Sequence, residues 1–153
     1  MTLSVVVGLG RSGIGAARLL KAQGSEVVVL EKAENDACRR KSADLRQQGI
    51  DVQLGQPLEI SSFEPWLDEI DQVVISPGIA WTHPTLEALR TRGVPVKGEM
   101  ALAWETLKQH PWIGITGTNG KTTVTHLLQH VLNHGGLKAC LLYTSDAADD
   151  NTC

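Results

Sequence analysis

Apolar positions along the chain fall into two alternating rhythms. Residues 3–8 (LSVVVG) form a short continuous apolar run closed by glycine, the mark of a strand buried on both faces. Residues 12–23 carry Ile14, Ala16, Ala17, Leu19 and Leu20 at helical spacing, and Gly24 ends that pattern. Residues 27–30 are a second β-branched run. Residues 35–48 are polar and helical in pattern, closed by Gly49, and residues 52–54 suit a short strand. Residues 72–76 (QVVIS) read as a strand broken by Pro77-Gly78. Pro84 suits a first helical turn, giving a helix to about Arg92 before Gly93, and His83 is placed to cap it. Residues 94–97 are another short strand.

A second unit is expected from Gly98 or Glu99 onward. Residues 100–109 are helical in pattern and Trp112–Thr116 (WIGIT) reads as a strand. A glycine-rich turn follows, then a helix over 121–134 whose Val124, Leu127, Leu128, Val131 and Leu132 share one face. Alternating strand and helix implies a parallel sheet covered by helices. The fold class is α/β: a parallel-sheet domain over 1–97, then a second α/β unit over 98–139.

Composition narrows the function classes. The 153 residues are 42% hydrophobic and 20% charged, enough apolar content for a packed core. A formal net charge of −3 argues against nucleic acid held on a basic face. No apolar stretch is long enough to cross a bilayer, and the N-terminal run lacks the features of a secretion signal, so a cytoplasmic protein is expected. Cys38, Cys140 and Cys153 lack metal-type spacing and read as free thiols. Residues 140–153 stand apart: CLLYTSDAADD over 140–150 resembles a translated sequencing-library adapter, which makes this tail non-native. The alternative is a real strand, LKACLLY, with a polar tail.

Two glycine-rich loops carry candidate chemistry. Gly8-Leu9-Gly10-Arg11-Ser12-Gly13 is a G-x-G-x-x-G between strand and helix. Gly8 permits the tight turn, Gly10 lets a phosphate approach the backbone, and Gly13 lets helix and strand pack closely. Glu31 ends the next strand 18 positions after Gly13, which suits a hydrogen bond to a ribose or base. NAD of a dehydrogenase would satisfy this pattern, as would any nucleotide diphosphate or a turn needed only for packing. The second loop is Thr116-Gly117-Thr118-Asn119-Gly120-Lys121-Thr122-Thr123. Its amides can cradle phosphates, Lys121 can reach the β- and γ-phosphates of ATP, and the Thr122 hydroxyl can hold Mg²⁺. The strict P-loop pattern wants glycine where this chain has Ile115, so the loop is a variant.

Other candidates have plainer readings. Ser76-Pro77-Gly78 ends a strand at the same sheet edge as the first glycine loop, as a ligand border or a simple turn. Glu99 reads as a helix-start carboxylate favoured by the dipole. His126, His130 and His134 share a helix stripe without a completing carboxylate or cysteine and read as a solvated face. Trp66, Trp81, Trp104 and Trp112 read as packing residues, and Arg39-Arg40-Lys41 as a solvated helix face.

GTNGKTT over 117–123 resembles the ATP loop of the Mur ligases, ATP-dependent amino-acid ligases of peptidoglycan synthesis. GLGRSG over 8–13, SPGI over 76–79 followed by His83-Pro84, GEMAL over 98–102 and Asn119 resemble the D-glutamate-adding branch, and the resemblance covers essentially all of 1–139. It implies a Rossmann-like domain over 1–97, followed by the truncated start of a P-loop-type α/β ATPase domain over 98–139, and a first domain that holds the UDP part of a sugar substrate rather than a dinucleotide. Leu9, Arg11 and Ser12 would lie near the diphosphate and uridine, Glu31 and Lys32 near the uracil and ribose, and Ser76-Pro77-Gly78 at the pocket border. It further implies a chain that is an N-terminal fragment, inactive alone, of a monomeric enzyme. That enzyme would join D-glutamate to UDP-N-acetylmuramoyl-L-alanine through an acyl phosphate, using ATP and Mg²⁺. Further metal ligands would lie past Ala139. A non-catalytic nucleotide-binding protein remains an alternative.

Overall fold

The computed structural model describes residues 2–141. The first unit runs to Thr106. Its elements are β1 (Leu3–Val7), α1 (Arg11–Ala22), β2 (Glu26–Glu31), α2 (Asp36–Gln47) and β3 (Asp51–Leu54), then a 3-10 helix (Ile60–Trp66), β4 (Ile70–Ile75), α3 (Pro84–Thr91), β5 (Val96–Gly98) and α4 (Glu99–Leu107). The strands form one parallel sheet in the order β3-β2-β1-β4-β5. Val5 of β1 pairs with Val28 of β2 on one side and Val73 of β4 on the other, placing β1 at the centre.

The continuous apolar runs follow from this geometry. Val5, Val7, Val28, Leu30, Val73 and Ile75 point to one face and pack with Phe63, Leu86 and Leu89 from the 3-10 helix and α3. Val6, Val27, Val29, Val52 and Val74 point to the other and pack with Ala16, Ala17, Leu20, Leu45 and Leu102 from α1, α2 and α4. A strand covered on both faces has no side to give to water, so apolar residues fill successive positions. The small Ala16 and Ala17 let α1 lie close to the sheet.

Helix ends follow local chemistry. The Asn35 side chain accepts from Cys38 N at 2.9 Å, and His83 Nδ1 accepts from Thr85 N at 3.3 Å, the capping role read from the sequence. Gly24, Gly49 and Gly93 follow α1, α2 and α3 with φ of +88°, +73° and +83°, the left-handed turn that glycine adopts without strain.

Several expectations need correction. The 3-10 helix at Ile60–Trp66 was not foreseen: Pro65 and the lack of a helical stripe hid it. Trp112–Thr116 is not a strand, because no second strand among the described residues of that unit pairs with it. Residues 137–141 form no strand either. Helix α4 packs with the first unit, where Leu102 is buried and Gln23 Nε2 donates to Thr106 Oγ1 at 3.0 Å. Of the tryptophans, Trp66 packs against the core, whereas Trp81 and Trp104 are half exposed. Trp81 instead lies under the Arg90 guanidinium, 4.3 Å from the ring centroid. Cys38 is a free thiol, but Cys140 is disulfide-bonded, a pairing that spacing alone did not reveal.

The second unit begins at Leu107. It contains α5 (Lys121–His134), the span its apolar periodicity predicts. Apart from Cys140 and Leu141, the tail read as adapter-derived lies outside the described residues. No helix among the described residues is long and apolar enough to cross a membrane.

Candidate functional site

The strand order reverses between β1 and β4: from β1 the chain goes outward through β2 and β3, then returns to β4 on the far side. The loops leaving β1 and β4 therefore part and open a crevice at the carboxyl ends of the strands. Main-chain bonds fix both loops at their roots, Gly8 N to Leu30 O at 2.8 Å and Ser76 N to Val7 O at 3.3 Å.

The three loop glycines have separate physical reasons. Gly8 has φ +106°, and a Cβ there would stand 2.7 Å from Ser76 Oγ. A Cβ on Gly13 would stand 2.0 Å from the Gly8 carbonyl oxygen, so only glycine lets α1 approach β1 this closely. Gly10 is different: nothing lies within 4 Å of where its Cβ would be. It is the N-cap of α1, no side chain caps that end, and the first turn holds no acidic residue. The amino end of α1 thus offers unclaimed N–H groups and its partial positive charge to an anion. Arg11, Ser12, Pro77 and Gly78 are exposed around this opening.

Two predicted contact residues are engaged otherwise. Leu9 is buried at 2% exposure in the core face that holds α1 and α2. Its N–H donates to Glu31 Oε2 at 2.6 Å, and its carbonyl accepts from Lys41 Nζ at 3.3 Å. Leu9 is therefore a core residue that pins the loop, with no free donor or side chain for a ligand. The other Glu31 oxygen accepts from Ala33 N at 2.8 Å. Glu31 does stand beside the glycine loop, but as a brace across two backbone amides. A carboxylate at the end of the second strand fits either role, so spacing alone did not distinguish them. Lys32 is exposed beside it.

The sequence reading passed over one more group. Glu99, the first residue of α4, faces the hydroxyls of Ser76 and Ser12. Burial pushes its carboxyl above the ordinary carboxylate range, and the two hydroxyls pull the other way. Even so, Glu99 Oε1 and Ser76 Oγ are buried atoms without a hydrogen-bond partner. The motif G-E-M-A-L held the residue in view, but the orphaned pair arises only when β4, α1 and α4 meet.

The second loop lies in the second unit. Gly117 and Gly120 have φ of +143° and +76°, and residues 116–124 are exposed. Gly120 is the N-cap of α5, which has no side-chain cap and no acid in its first turn. The Lys121 ammonium folds back to donate to Gly117 O at 2.5 Å. A polyphosphate would meet the free amides of Thr118, Asn119 and the first turn of α5, and would compete for Lys121. Thr122 and Thr123 stand exposed at the head of the helix. Thr122 could offer one hydroxyl to a divalent cation, and the described residues hold no group of three His, Cys, Asp or Glu placed for a metal. His130 and His134 stack at 6.3 Å.

Two family models match this chain. Residues 2–98 match the family described as Mur ligase MurD-like, N-terminal domain, and residues 115–152 match Mur ligase middle domain. The chain is 65% identical over 139 residues to the UDP-N-acetylmuramoylalanine--D-glutamate ligase of Prochlorococcus marinus (strain MIT 9313), covering 91% of this chain and 30% of the relative. It is 62% identical over the same length, with the same coverage, to the enzyme of that name from Parasynechococcus marenigrum (strain WH8102). The chain thus spans about 30% of the length of these curated relatives. Among solved structures it resembles a UDP-N-acetylmuramate:L-alanyl-gamma-D-glutamyl-meso-diaminopimelate ligase from Neisseria meningitides. That likeness has a TM-score of 0.65 at 26% identity, over 95% of this chain and 43% of the other. A UDP-N-acetylmuramate-alanine ligase from Thermotoga maritima gives a TM-score of 0.55 at 28% identity, over 89% and 30%. With residues 2–98 matched to the MurD-like domain and a glycine-lysine loop where the middle-domain match begins, the chain belongs to the Mur ligases.

Proposed function

We propose that this chain is the sugar-nucleotide-binding domain and ATP loop of a cytoplasmic, monomeric ligase of peptidoglycan synthesis. The complete enzyme joins D-glutamate to UDP-N-acetylmuramoyl-L-alanine. One observation carries the reading: each unit holds an open, glycine-led helix N-terminus without a side-chain cap or a first-turn acid. Two polyphosphate cradles suit a reaction with one sugar nucleotide and one nucleoside triphosphate. The names of relatives at 62–65% identity support this pair of substrates.

In this reading the amino end of α1, Gly10 and Ser12 take the diphosphate of the sugar nucleotide, with Arg11 and Ser76-Pro77-Gly78 at the border. Glu31 and Leu9 hold the loop in shape. Lys121 leaves the Gly117 carbonyl to neutralise the triphosphate, and the amides of 117–123 orient it. A carboxylate is a poor acyl donor because oxide is a prohibitive leaving group. Transfer of the γ-phosphoryl group to the alanyl carboxylate gives an acyl phosphate, which the D-glutamate amine attacks with loss of phosphate. Thr122 fits as one ligand of Mg²⁺, which would supply charge neutralisation at the phosphates. The remaining ligands, the D-glutamate site and the rest of the ATPase domain belong to sequence past Ala139, so the 153-residue chain alone has no ligase activity.

Against the reading of a non-native tail after Ala139 stands the middle-domain match, which runs on to residue 152. Sequencing the gene past codon 139 decides between them: a frame continuing through a whole catalytic domain supports the fragment reading, and a stop there sinks it.

Calorimetric titration of the chain tests the substrate. UDP-N-acetylmuramoyl-L-alanine should bind and NADH should not. Binding of NADH alone would return the chain to a dehydrogenase-type module.

A further inference from the structure

Two half-buried side chains beside the first cradle, Ser76 and Glu99, are unexplained by the ligase reading. Ser76 Oγ lies 2.7 Å from the position of a Cβ on Gly8 and 3.4 Å from one on Gly13, so it presses against the glycine loop itself. Glu99 faces that hydroxyl and the hydroxyl of Ser12 at the start of α1. Glu99 Oε1 and Ser76 Oγ both lack a hydrogen-bond partner. Buried polar atoms are almost always hydrogen-bonded, so such a pair calls for an explanation.

We propose that Glu99 is a positioning residue that gates the first cradle as an internal anion, competing with the ligand's diphosphate for the Ser12 and Ser76 hydroxyls and the amino end of α1. The inference rests on the reading of that cradle as a diphosphate site. An ionised Glu99 answers the helix dipole while the cradle is empty and repels an incoming diphosphate. A neutral Glu99 carries a hydroxyl that donates to Ser76 and removes the repulsion. Bound diphosphate therefore favours the protonated carboxyl, and binding takes up a proton. The charged groups on the adjoining elements do not offset this exchange. Lys97 of β5 is ion-paired with Glu105 of α4 at 2.7 Å, Glu31 is tied to two amides, and Arg11 is exposed at the start of α1.

The test uses the 153-residue chain and UDP-N-acetylglucosamine, whose diphosphate diester gains no proton between about pH 5 and 8. Affinity of the unaltered chain should weaken as pH rises, by up to about tenfold per pH unit above the Glu99 transition. Glu99→Gln, which keeps the shape without the charge, should bind tighter than the unaltered chain above the Glu99 transition, by up to about tenfold per pH unit, and show a flat profile. A second measurement does not depend on the variant folding: titration in two buffers of different ionisation heat should show net proton uptake by the unaltered chain. No uptake, or a Glu99→Gln protein that binds equally or more weakly with the same pH slope, overturns the gate and leaves the cradle intact. Absence of binding by both proteins at every pH overturns the diphosphate reading, and the gate with it.

Discussion

Gly8 of the first loop is held from three sides: its N–H by the Leu30 carbonyl, its Cα by Ser76, its carbonyl by the close approach of Gly13. Gly117 and Gly120 of the second loop pass through the same left-handed region with Lys121 folded across them. Beneath the first loop lie strands whose residues are almost all buried, whereas α5 behind the second has no buried residue. The shape of an anion cradle is thus written locally, in glycines and a helix start. Its stiffness comes from whatever the adjoining helix and strand pack against.

The largest expected effect of this difference is on stability. Leu89 is fully buried between α3 and the sheet, so Leu89→Ala should cost about 2–5 kcal/mol in urea unfolding of the chain. A loss below about 1 kcal/mol would mean that the first unit is not the rigid partner. Next comes Lys121→Ala in the complete ligase. Turnover should fall by about 10²–10³, while sugar-nucleotide binding stays within about twofold. Equal loss of both would break the assignment of one substrate to each loop. The glycines come third. Gly13→Ala forces a methyl against a backbone oxygen and should destabilise by about 1–3 kcal/mol. Gly10→Ala has open space and should leave the melting temperature nearly unchanged while weakening sugar-nucleotide binding. Comparable melting shifts in the two variants would overturn that separation.

The first unit was legible because its signals are local and agree with one another. Apolar runs ending in glycine, His83 as a cap, and Pro84 at a first turn each predict an element that the structure contains. What failed needed a partner distant in sequence. WIGIT has the composition of a strand, but a strand exists only beside another, and none in its unit is described. Leu9 sits in the middle of a ligand motif, yet its side chain falls on the core side of the loop. Glu31 matches the spacing of a ribose ligand, and its oxygens instead reach the amides of Leu9 and Ala33. Glu99 looked like an ordinary helix-start acid until β4 and α1 closed over it. In each case periodicity fixed the backbone and left the side chain's partner to tertiary contacts.

The smallest effect sharpens the comparison most. Val124, Leu127 and Val131 line the apolar stripe of α5, and Leu127 is 62% exposed. A side chain already in water has little burial to lose, so Leu127→Ala should change the stability of this chain by no more than about 0.5 kcal/mol. In the complete ligase the same stripe is expected to pack on the rest of the middle domain. There Leu127→Ala should cost about 2–5 kcal/mol, as Leu89→Ala does in the first unit. Hydrogen exchange on the 153-residue chain gives the matching observation. Amides of β1 and β4 should exchange only on global unfolding, and those of α5 far faster, by local opening. Equal protection of the two regions would mean that α5 is stabilised by contacts other than its apolar stripe, and the cradle it heads would then be as rigid as the first.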